Sequence, residues 1–426
     1  MSRAWIATTR FGLGPRPGEL DELRRLGPER HLLEQLQDQG APEGKSKREA
    51  LQALARGFRE DRKAFNELSS ELYRAEAREH ARFAMHTTAP FRERLARFWI
   101  NHFTVSAARP EVRGLAGSLS RHAIRPRLDG HFHQLLLEVT RHPAMLLYLD
   151  NVRSVGPDSP AGRRKGKGLN ENLAREILEL HTLGVDGGYS QSDVEALAAM
   201  LTGWTVEPDA DGSSFDERLH QPGAQTLLGR SYPDEGPRQA ASALLDLARH
   251  PSTARHLATK LARHFVADQP SELAIERIER AWTSSDGHLP TVAVALVELP
   301  SAWSVGEKLR TPQEFVLATA RALDDDGEAS LLVHSMRELG QAMWSAGSPA
   351  GWSDLAEDWS GPDALVARVE WARRVGMRSP KRQDVQQLAQ ELLGPKLDRS
   401  LRSMLDQRHP KEALGLLLAS PWMQRR

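Results

Sequence analysis

The stretch LNENLAREILELHTLGVDGGYSQSDV, residues 169–194, carries the clearest helical pattern in the chain. Asn170 or Asn172 can cap a helix start, and glutamates follow in the first turn, where the helix dipole favours negative charge. Gly184 supplies a left-handed stop. The pattern therefore predicts a helix over residues 172–183.

A second helix follows after a glycine-rich turn. Ser190 or Ser192 can cap its start, and Asp193 or Glu195 can complete a capping box. Asp186, Ser190 and Asp193 could also offer oxygen ligands to calcium, but their spacing misses the EF-hand pattern and capping already accounts for them. We therefore expect a helical hairpin without calcium.

The first helix of this hairpin is unusually rich in charge. Glu171, Arg175 and Glu179 are successive i, i+4 partners on the helix surface. They can form two ion pairs, each of which stabilises the helix by roughly a few tenths of a kcal/mol. Glu176 falls outside these pairs, between Leu180 and Leu183, where its carboxylate loses water. A desolvated carboxylate finds a partner or raises its pKa, which makes Glu176 the candidate for chemistry.

Two histidines lie on core-facing positions of predicted helices. On a straight helix His181 is about 140° from Glu176, so one helix cannot direct both at one ion. His102 follows the apolar spacing of Phe98 and Trp99 in RERLARFWINHFTVS. Either histidine alone is typical of a hydrogen-bonded core residue. Together with Glu176 they provide the groups of a proton-transfer or metal site, provided that the helices converge.

Other motifs of common enzymes are missing from the sequence. It has no GxSxG elbow, GxGxxG or P-loop spacing, which disfavours a nucleophilic serine and nucleotide phosphate binding. The other histidines considered are expected to be helix caps or surface residues: His131, His133, His142, His220, His256 and His264.

The composition excludes further classes. Lys+Arg and Asp+Glu both total 57, so the net charge of +0 argues against a general nucleic-acid binder. The absence of cysteine excludes disulfides and thiolate metal sites. The first residues lack the apolar run of a signal peptide, and no apolar stretch is long enough to cross a bilayer, so the sequence predicts a soluble, cytoplasmic protein.

Helical periodicity dominates the whole chain and predicts an all-α fold, a large multi-helix orthogonal assembly with little or no sheet. The length favours one large unit or two packed lobes, divided here as residues 1–205 and 206–426. The predicted helices are 31–37, 47–87, 91–103, 132–140, 172–183, 193–202, 238–249, 252–266, 272–282, 291–299, 313–323, 330–343, 362–375, 385–393 and 410–418.

Two long interruptions, residues 151–168 and 205–237, are predicted loops rich in glycine and proline. Each could cover a site as a lid or simply lie on the surface. The first carries a basic run that could hold an anion or form a solvated tip. That run consists of Arg163, Arg164, Lys165 and Lys167.

Several motifs together give the sequence a resemblance that spans nearly its whole length. They are RFGLGP, FWINHF, HPAMLLYLDN, the central NENLAREILELHTLGVDGGYSQSDVEALAAMLTGW, HPSTARHLATKLARHFVADQP, RTPQEF, LGQAMW with GW, and the closing SPWMQRR. In these the chain resembles the bacterial domain-of-unknown-function 1800 family. The resemblance implies a largely helical bacterial protein without a named activity, whose relatives are often exported.

The leading hypothesis is an enzyme with an acid–base site, a hydrolase or lyase acting on a polar polymer such as a glycan. Its predicted catalytic residues are Glu176, His102, His181 and Arg175. Its predicted substrate-binding residues are Asn101, Trp99, Trp204 and Asn172.

Two alternatives remain open at the level of sequence. The first is a divalent-metal-dependent enzyme, an oxidoreductase or hydrolase, with ligands Glu176, Glu179 and His102 from two helices. The second is a non-enzymatic binding or assembly module in which the charged helix joins two lobes. The expected partner is a polar or anionic small molecule or polymer, and the sequence leaves the oligomeric state open.

Overall fold

The computed structural model describes residues 3–166, 168–208, 212–304, 308–324, 328–379 and 384–426. α-Helices dominate these residues, and the strands form only two small antiparallel hairpins. The prediction of an all-α fold with little sheet is confirmed.

The helices of the first half of the chain range from single turns to a few long helices. They are α1 (Arg3–Ile6), α2 (Glu19–Leu26), α3 (Pro28–Glu34), α4 (Lys47–Glu60), α5 (Arg62–His86), α6 (Pro90–His102), α7 (Pro110–Arg113), α8 (Ala116–Leu119), α9 (Phe132–Arg141), α10 (Pro143–Tyr148), α11 (Pro160–Lys165), α12 (Asn172–Glu176) and α13 (Gln191–Leu201).

The second half begins with the hairpins β1–β2 and β3–β4. Their strands are β1 (Trp204–Glu207), β2 (Gly212–Phe215), β3 (Gln225–Leu227) and β4 (Arg230–Tyr232). The helices that follow are α14 (Pro237–Arg249), α15 (Pro251–Phe265), α16 (Glu272–Ser284), α17 (Leu289–Val297), α18 (Pro312–Leu323), α19 (Ala329–Glu338), α20 (Pro362–Arg378), α21 (Val385–Leu393), α22 (Arg399–Asp406) and α23 (Pro410–Ala419).

Local capping chemistry sets many of these boundaries. The predicted helix over 47–87 is two helices, because Asp61 is extended and accepts the Ala64 amide at 2.8 Å as the cap of α5. Ser190 and Asp193 form the predicted capping box of α13. Gly184 is left-handed, with φ 88°, as predicted for the stop of the charged helix.

The charged helix itself departs from the straight rod that the sequence predicts. Its α-helical part ends at Glu176, and residues Ile177–His181 form a π-helical turn. A π turn places i→i+5 hydrogen bonds where an α-helix has i→i+4, so the angular spacing of a straight helix no longer applies beyond Glu176. The 140° separation from His181 that was predicted on a straight helix is therefore not a property of this segment.

One hydrophobic core contains buried residues from both halves of the chain, from Ala4 to Met423. The predicted boundary at residue 205 falls inside β1, which pairs with β2 across it. The division into two lobes stays a prediction.

Buried arginines join distant parts of the chain by donating to backbone carbonyls. Arg321 on α18 donates to the carbonyl oxygens of Gly14 at 2.9 Å and Met85 at 3.0 Å. Arg10 near the start of the chain donates to Val266 at 3.2 Å. Because each guanidinium satisfies carbonyls at helix ends, these side chains stabilise the packing of segments that are far apart in sequence.

The two predicted loops contain more regular structure than expected. Residues 151–168 include α11, and residues 205–237 include most of the two hairpins. Arg163 and Arg164 are exposed on α11, whereas Lys167 of the basic run lies outside the described residues. In the described part of the chain, every helix is too short or too polar to cross a lipid bilayer.

Candidate functional site

Five of the eight quoted motifs contribute residues to one cavity of about 90 Å³, named the polar cavity for its charged and polar lining side chains. The N-terminal segment contributes Leu13 to the lining of the cavity, α6 contributes Asn101, and α15 contributes His264. The RTPQEF motif contributes Gln313 and Glu314. The remaining polar and aromatic lining includes His80, Arg94, Arg97, Thr104, Thr311, Gln341, Trp344, Trp352 and Asp354.

A histidine–aspartate pair lies in the wall of this polar cavity. Nδ1 of His264 is 2.7 Å from Oδ1 of Asp354. Because a carboxylate only accepts, the Nδ1–H of the ring donates and the lone pair is on Nε2. That Nε2 is buried without a hydrogen-bond partner among the described residues. Burial lowers the pKa of His264, and Asp354 opposes this shift.

A second histidine of the polar cavity has the same arrangement. His80 on α5 donates its Nδ1–H to the carbonyl oxygen of Glu76 at 2.9 Å, which leaves Nε2 as the acceptor. In the described structure this Nε2 is also buried and unpaired. Burial holds the pKa of His80 well below its ordinary value, with a further contribution from Arg125. Its ring packs edge-on against Trp344 with centroids 4.8 Å apart.

Buried ion pairs form the charged frame of the polar cavity. Glu314 pairs with Arg94 and also with Arg426, whose Nε lies 3.1 Å from the carboxylate. Burial alone would raise the pKa of Glu314, but the two guanidinium groups hold it well below its ordinary value. Arg97 donates to Oε1 of Gln313 at 3.0 Å. The arginines are therefore already engaged, and the frame is rigid.

The segment that carries Asp354 is fixed by hydrogen bonds between its backbone and the side chain of Asn101 on α6. Oδ1 of Asn101 accepts the backbone N–H of Trp352, and Nδ2 of Asn101 donates to the Trp352 carbonyl oxygen, both at 2.8 Å. Gly351 permits this approach, because it has φ 83° and a Cβ there would lie 2.4 Å from the Asn101 carbonyl oxygen. Asn101, predicted to bind substrate, does line the cavity and positions the loop that supplies Asp354.

His102 and His181 converge behind this wall, as the proton-transfer hypothesis requires. Their ring centroids are 5.8 Å apart, and Nε2–H of His102 donates to the His181 carbonyl oxygen at 3.2 Å. His256 on α15 likewise donates to the Leu180 carbonyl at 3.2 Å. These two imidazoles therefore bind carbonyl oxygens at the end of the π turn, which is a structural contact.

Lys260 on α15 sets the charge around these histidines. Burial lowers its pKa to about 8, against the opposing effect of Asp354. Burial first, and then repulsion by Lys260, lower the pKa of His181 to about 3 and that of His256 to about 4. The same two causes hold the pKa of His102 well below its ordinary value. These rings are consequently neutral at pH 7.

Glu176 is half-buried on a different side of the segment. Burial raises its pKa, Glu179 raises it further, and Arg175 opposes the shift. No hydrogen bond or ion pair joins it to His102 or His181 in the described part of the chain, and its charge is not a cause of either pKa shift. The structure therefore does not bring the predicted Glu/His set together, because the π turn packs His181 inward while Glu176 stays near the surface.

The remaining predicted residues are also dispersed. Arg175 forms the predicted pair with Glu171 at 2.8 Å, and Asn172 is exposed at the start of α12. Trp99 is buried in an aromatic group and contacts the His102 ring at 5.4 Å. Trp204 lies in β1 beneath the Arg141 guanidinium, which is 5.7 Å from its ring centroid.

The predicted metal ligands do not form a ligand group. Among the described residues the one group of three side chains close enough to hold a metal ion is His131, His133 and Asp286, which lies elsewhere. Glu179 contacts the Tyr189 hydroxyl at 3.5 Å instead. The oxygens of Asp193 bind the cap residue Ser190 and the Leu228 amide, so capping accounts for them as predicted.

The expectation that His264 is a cap or surface residue is wrong. His256, Lys260 and His264 are separated by four residues each, which places all three on one face of α15. That regular i, i+4 spacing of two histidines and a lysine was the signal available in the sequence. By contrast, His142 does cap α10, since its ring accepts the Ala144 amide at 3.2 Å.

This arrangement of motifs is that of one recognised protein family. The sequence profile described as "Protein of unknown function (DUF1800)" matches residues 6–425, essentially the whole chain. The chain therefore belongs to this family, and the predicted resemblance is confirmed. Comparison with curated proteins and with solved structures gave no match.

Proposed function

We propose that the protein is an acid–base enzyme whose centre is the polar cavity, with His264 as the base and Asp354 as the residue that orients it. The observation that carries this proposal is the pair of imidazoles, His264 and His80, that line one cavity with unpaired Nε2 atoms. Both rings have a tautomer fixed by a partner on Nδ1. A neutral imidazole held in this way is the common form of a general base.

The contacts of the two residues favour His264 over Glu176 as the proposed acid–base centre. Asp354 stabilises the imidazolium that forms when His264 accepts a proton, because it is a carboxylate 2.7 Å from Nδ1. Glu176 has no imidazole partner in the described residues and keeps only its raised pKa. A raised pKa without a proton-transfer partner is weaker support for catalysis than a paired base within a cavity.

The size of the cavity selects the kind of substrate. About 90 Å³ is small compared with the roughly 300 to 1,000 Å³ of pockets that enclose drug-sized ligands. We therefore infer hydrolysis or elimination at a small polar group, either of a small molecule or at the end of a larger one.

The first test needs no substrate. Long-range ¹H–¹⁵N spectra of the histidine rings should show His264 as the neutral Nδ1–H tautomer at pH 7, with the resonance assigned from its loss in His264→Gln. The exposed His334 provides a matched control, since His334→Gln should leave that resonance unchanged. An Nε2–H tautomer at His264 would remove the base from the mechanism.

The second test is turnover of chromogenic esters, phosphates and glycosides of small size. For any substrate turned over, His264→Gln should lower kcat by about 100-fold or more, the usual contribution of a general base. Asp354→Asn should lower it in the same direction, with a shifted pH profile. Full activity in both folded variants would refute the proposal.

A further inference from the structure

A group of metal-ligating side chains lies away from the polar cavity, where two segments meet. His131 and His133 are at the start of α9, and Asp286 is in the turn between α16 and α17. One ligand atom of each lies within 4.8 Å of the other two. The spacing His-x-His brings two imidazoles from one segment to a carboxylate from another.

Backbone contacts hold the two segments in register. The Phe132 amide donates to the Gly287 carbonyl, and the Leu289 amide donates to the Gly130 carbonyl, both at 2.9 Å. These bonds flank the group on both sides, and they form an isolated antiparallel bridge between the two segments. The positions of the three side chains are therefore set by the fold before any ion binds, which lowers the cost of ordering them.

Each imidazole has a nitrogen free to coordinate. His131 donates Nδ1–H to the backbone carbonyl of Asp286 at 2.9 Å, so its lone pair is on Nε2. Histidine ligands of metal ions commonly donate the other ring nitrogen to a carbonyl in this way. Nδ1 of His133 is buried and has no hydrogen-bond partner in the described structure.

The carboxylate of Asp286 is oriented by Arg249. Nε and Nη2 of Arg249 donate to the two carboxylate oxygens at 2.8 and 2.6 Å. Each oxygen has two lone pairs, so one remains on each for a metal ion. Such hydrogen bonds to a ligating carboxylate are the usual outer support of a metal site. The positive charge of Arg249 weakens the affinity, so we expect a site of moderate strength.

We propose that His131, His133 and Asp286 bind one divalent transition-metal ion, with Zn²⁺ as the probe. Two imidazole nitrogens and one carboxylate oxygen match the ligand types that Zn²⁺ prefers, and calcium or magnesium would favour oxygen ligands alone. Bonds of about 2.0 Å place tetrahedral ligand atoms roughly 3.3 Å apart. The side chains therefore close by at most about 1.5 Å from the 4.8 Å limit when the ion binds.

An ion bound at this site would cross-link the start of α9 to the α16–α17 turn. Phe132, between the two histidines, packs against Trp282 of α16 with ring centroids 5.1 Å apart. An ion at this site would hold the segment that supports this aromatic contact. Because the site does not touch the polar cavity, its failure and the failure of the proposed enzyme activity are separable.

Titration calorimetry with Zn²⁺ on the full chain, after treatment with a chelator, tests the site. We expect one equivalent to bind and the melting temperature to rise. His133→Gln and Asp286→Asn each remove a ligand, so each should weaken Zn²⁺ binding by at least the roughly 10- to 100-fold that loss of an outer-shell partner costs. The exposed His334 is the control, and His334→Gln should bind as the unchanged chain does.

Two results would overturn the inference. One is a calorimetric titration without a saturable binding event at one equivalent of Zn²⁺ per chain. The other is unchanged affinity in both His133→Gln and Asp286→Asn. If His133→Gln fails to fold, Asp286→Asn decides alone, because Asp286 is exposed.

Discussion

Acid should destabilise this protein strongly, because several of its histidines are buried as neutral rings. Two have large shifts: the pKa of His181 is lowered to about 3 and that of His256 to about 4. The unfolded chain has ordinary histidines near 6.5 and binds protons that the native state does not. Stability is therefore complete above pH 6.5 and is lost as the pH falls toward these lowered values.

The size of the effect follows from the two shifts. Each proton bound only by the unfolded chain contributes about 1.4 kcal/mol per pH unit. His181 and His256 together predict a loss of roughly 3 kcal/mol between pH 6.5 and pH 5. His80, His102 and His142 have pKa values shifted in the same direction and add to it. The raised pKa of Glu176 acts in the opposite direction.

Urea denaturation, followed by tryptophan fluorescence at pH values from 5 to 7.5, measures the slope of the free energy of unfolding against pH. His181→Leu should reduce the slope between pH 5 and 6 by about 1.4 kcal/mol per pH unit, because one buried imidazole is removed. The exposed His334 is the control, and His334→Gln should leave the slope unchanged. A slope below about 1 kcal/mol per pH unit, or one unaltered by His181→Leu, would show that protons reach these rings in the native state.

Two further predictions concern the buried charges. Glu314→Gln should cost about 3 to 5 kcal/mol in urea denaturation, because it leaves the guanidinium groups of Arg94 and Arg426 buried without their carboxylate. Glu338→Gln, in a partly exposed pair, should cost under about 1 kcal/mol, and equal costs would contradict the argument. Arg321→Met should cost about 2 kcal/mol or more, because four backbone carbonyls lose their donor. A loss below about 0.5 kcal/mol would mean that solvent replaces it.

The helices were predictable where their signals are local. The cap at Ser190 and the stop at Gly184 depend on side-chain and backbone chemistry within a few residues, and both predictions are confirmed. The break at Asp61 was missed because apolar spacing continues through it on both sides. The π turn after Glu176 was missed because no local composition distinguishes it from an α-helix. That one error changed the expected directions of the side chains that follow Glu176 in the same helix.

The candidate site was predictable only in part, for a different reason. His102 and His181 were identified as core histidines, and they do meet. The polar partner of the His102 ring, however, is the backbone carbonyl of His181 at the end of the π turn, which no side-chain pattern reveals. Asp354 pairs with a histidine 90 residues away, and nothing near either residue marks the contact. Packing between distant segments created the polar cavity, so periodicity along one helix could not locate it.

The buried histidines differ in the charge that faces them, and this difference singles out one ring for proton transfer. His102, His181 and His256 face Lys260, so a proton added to any of them is repelled. His264 faces the carboxylate of Asp354, so an added proton is attracted. Burial opposes the charged form of all four rings, but only for His264 is part of that cost offset by a negative partner in direct contact. A ring that must gain and lose a proton during a reaction needs a neutral and a protonated form that are close in free energy. This requirement is the reason for proposing His264 as the base.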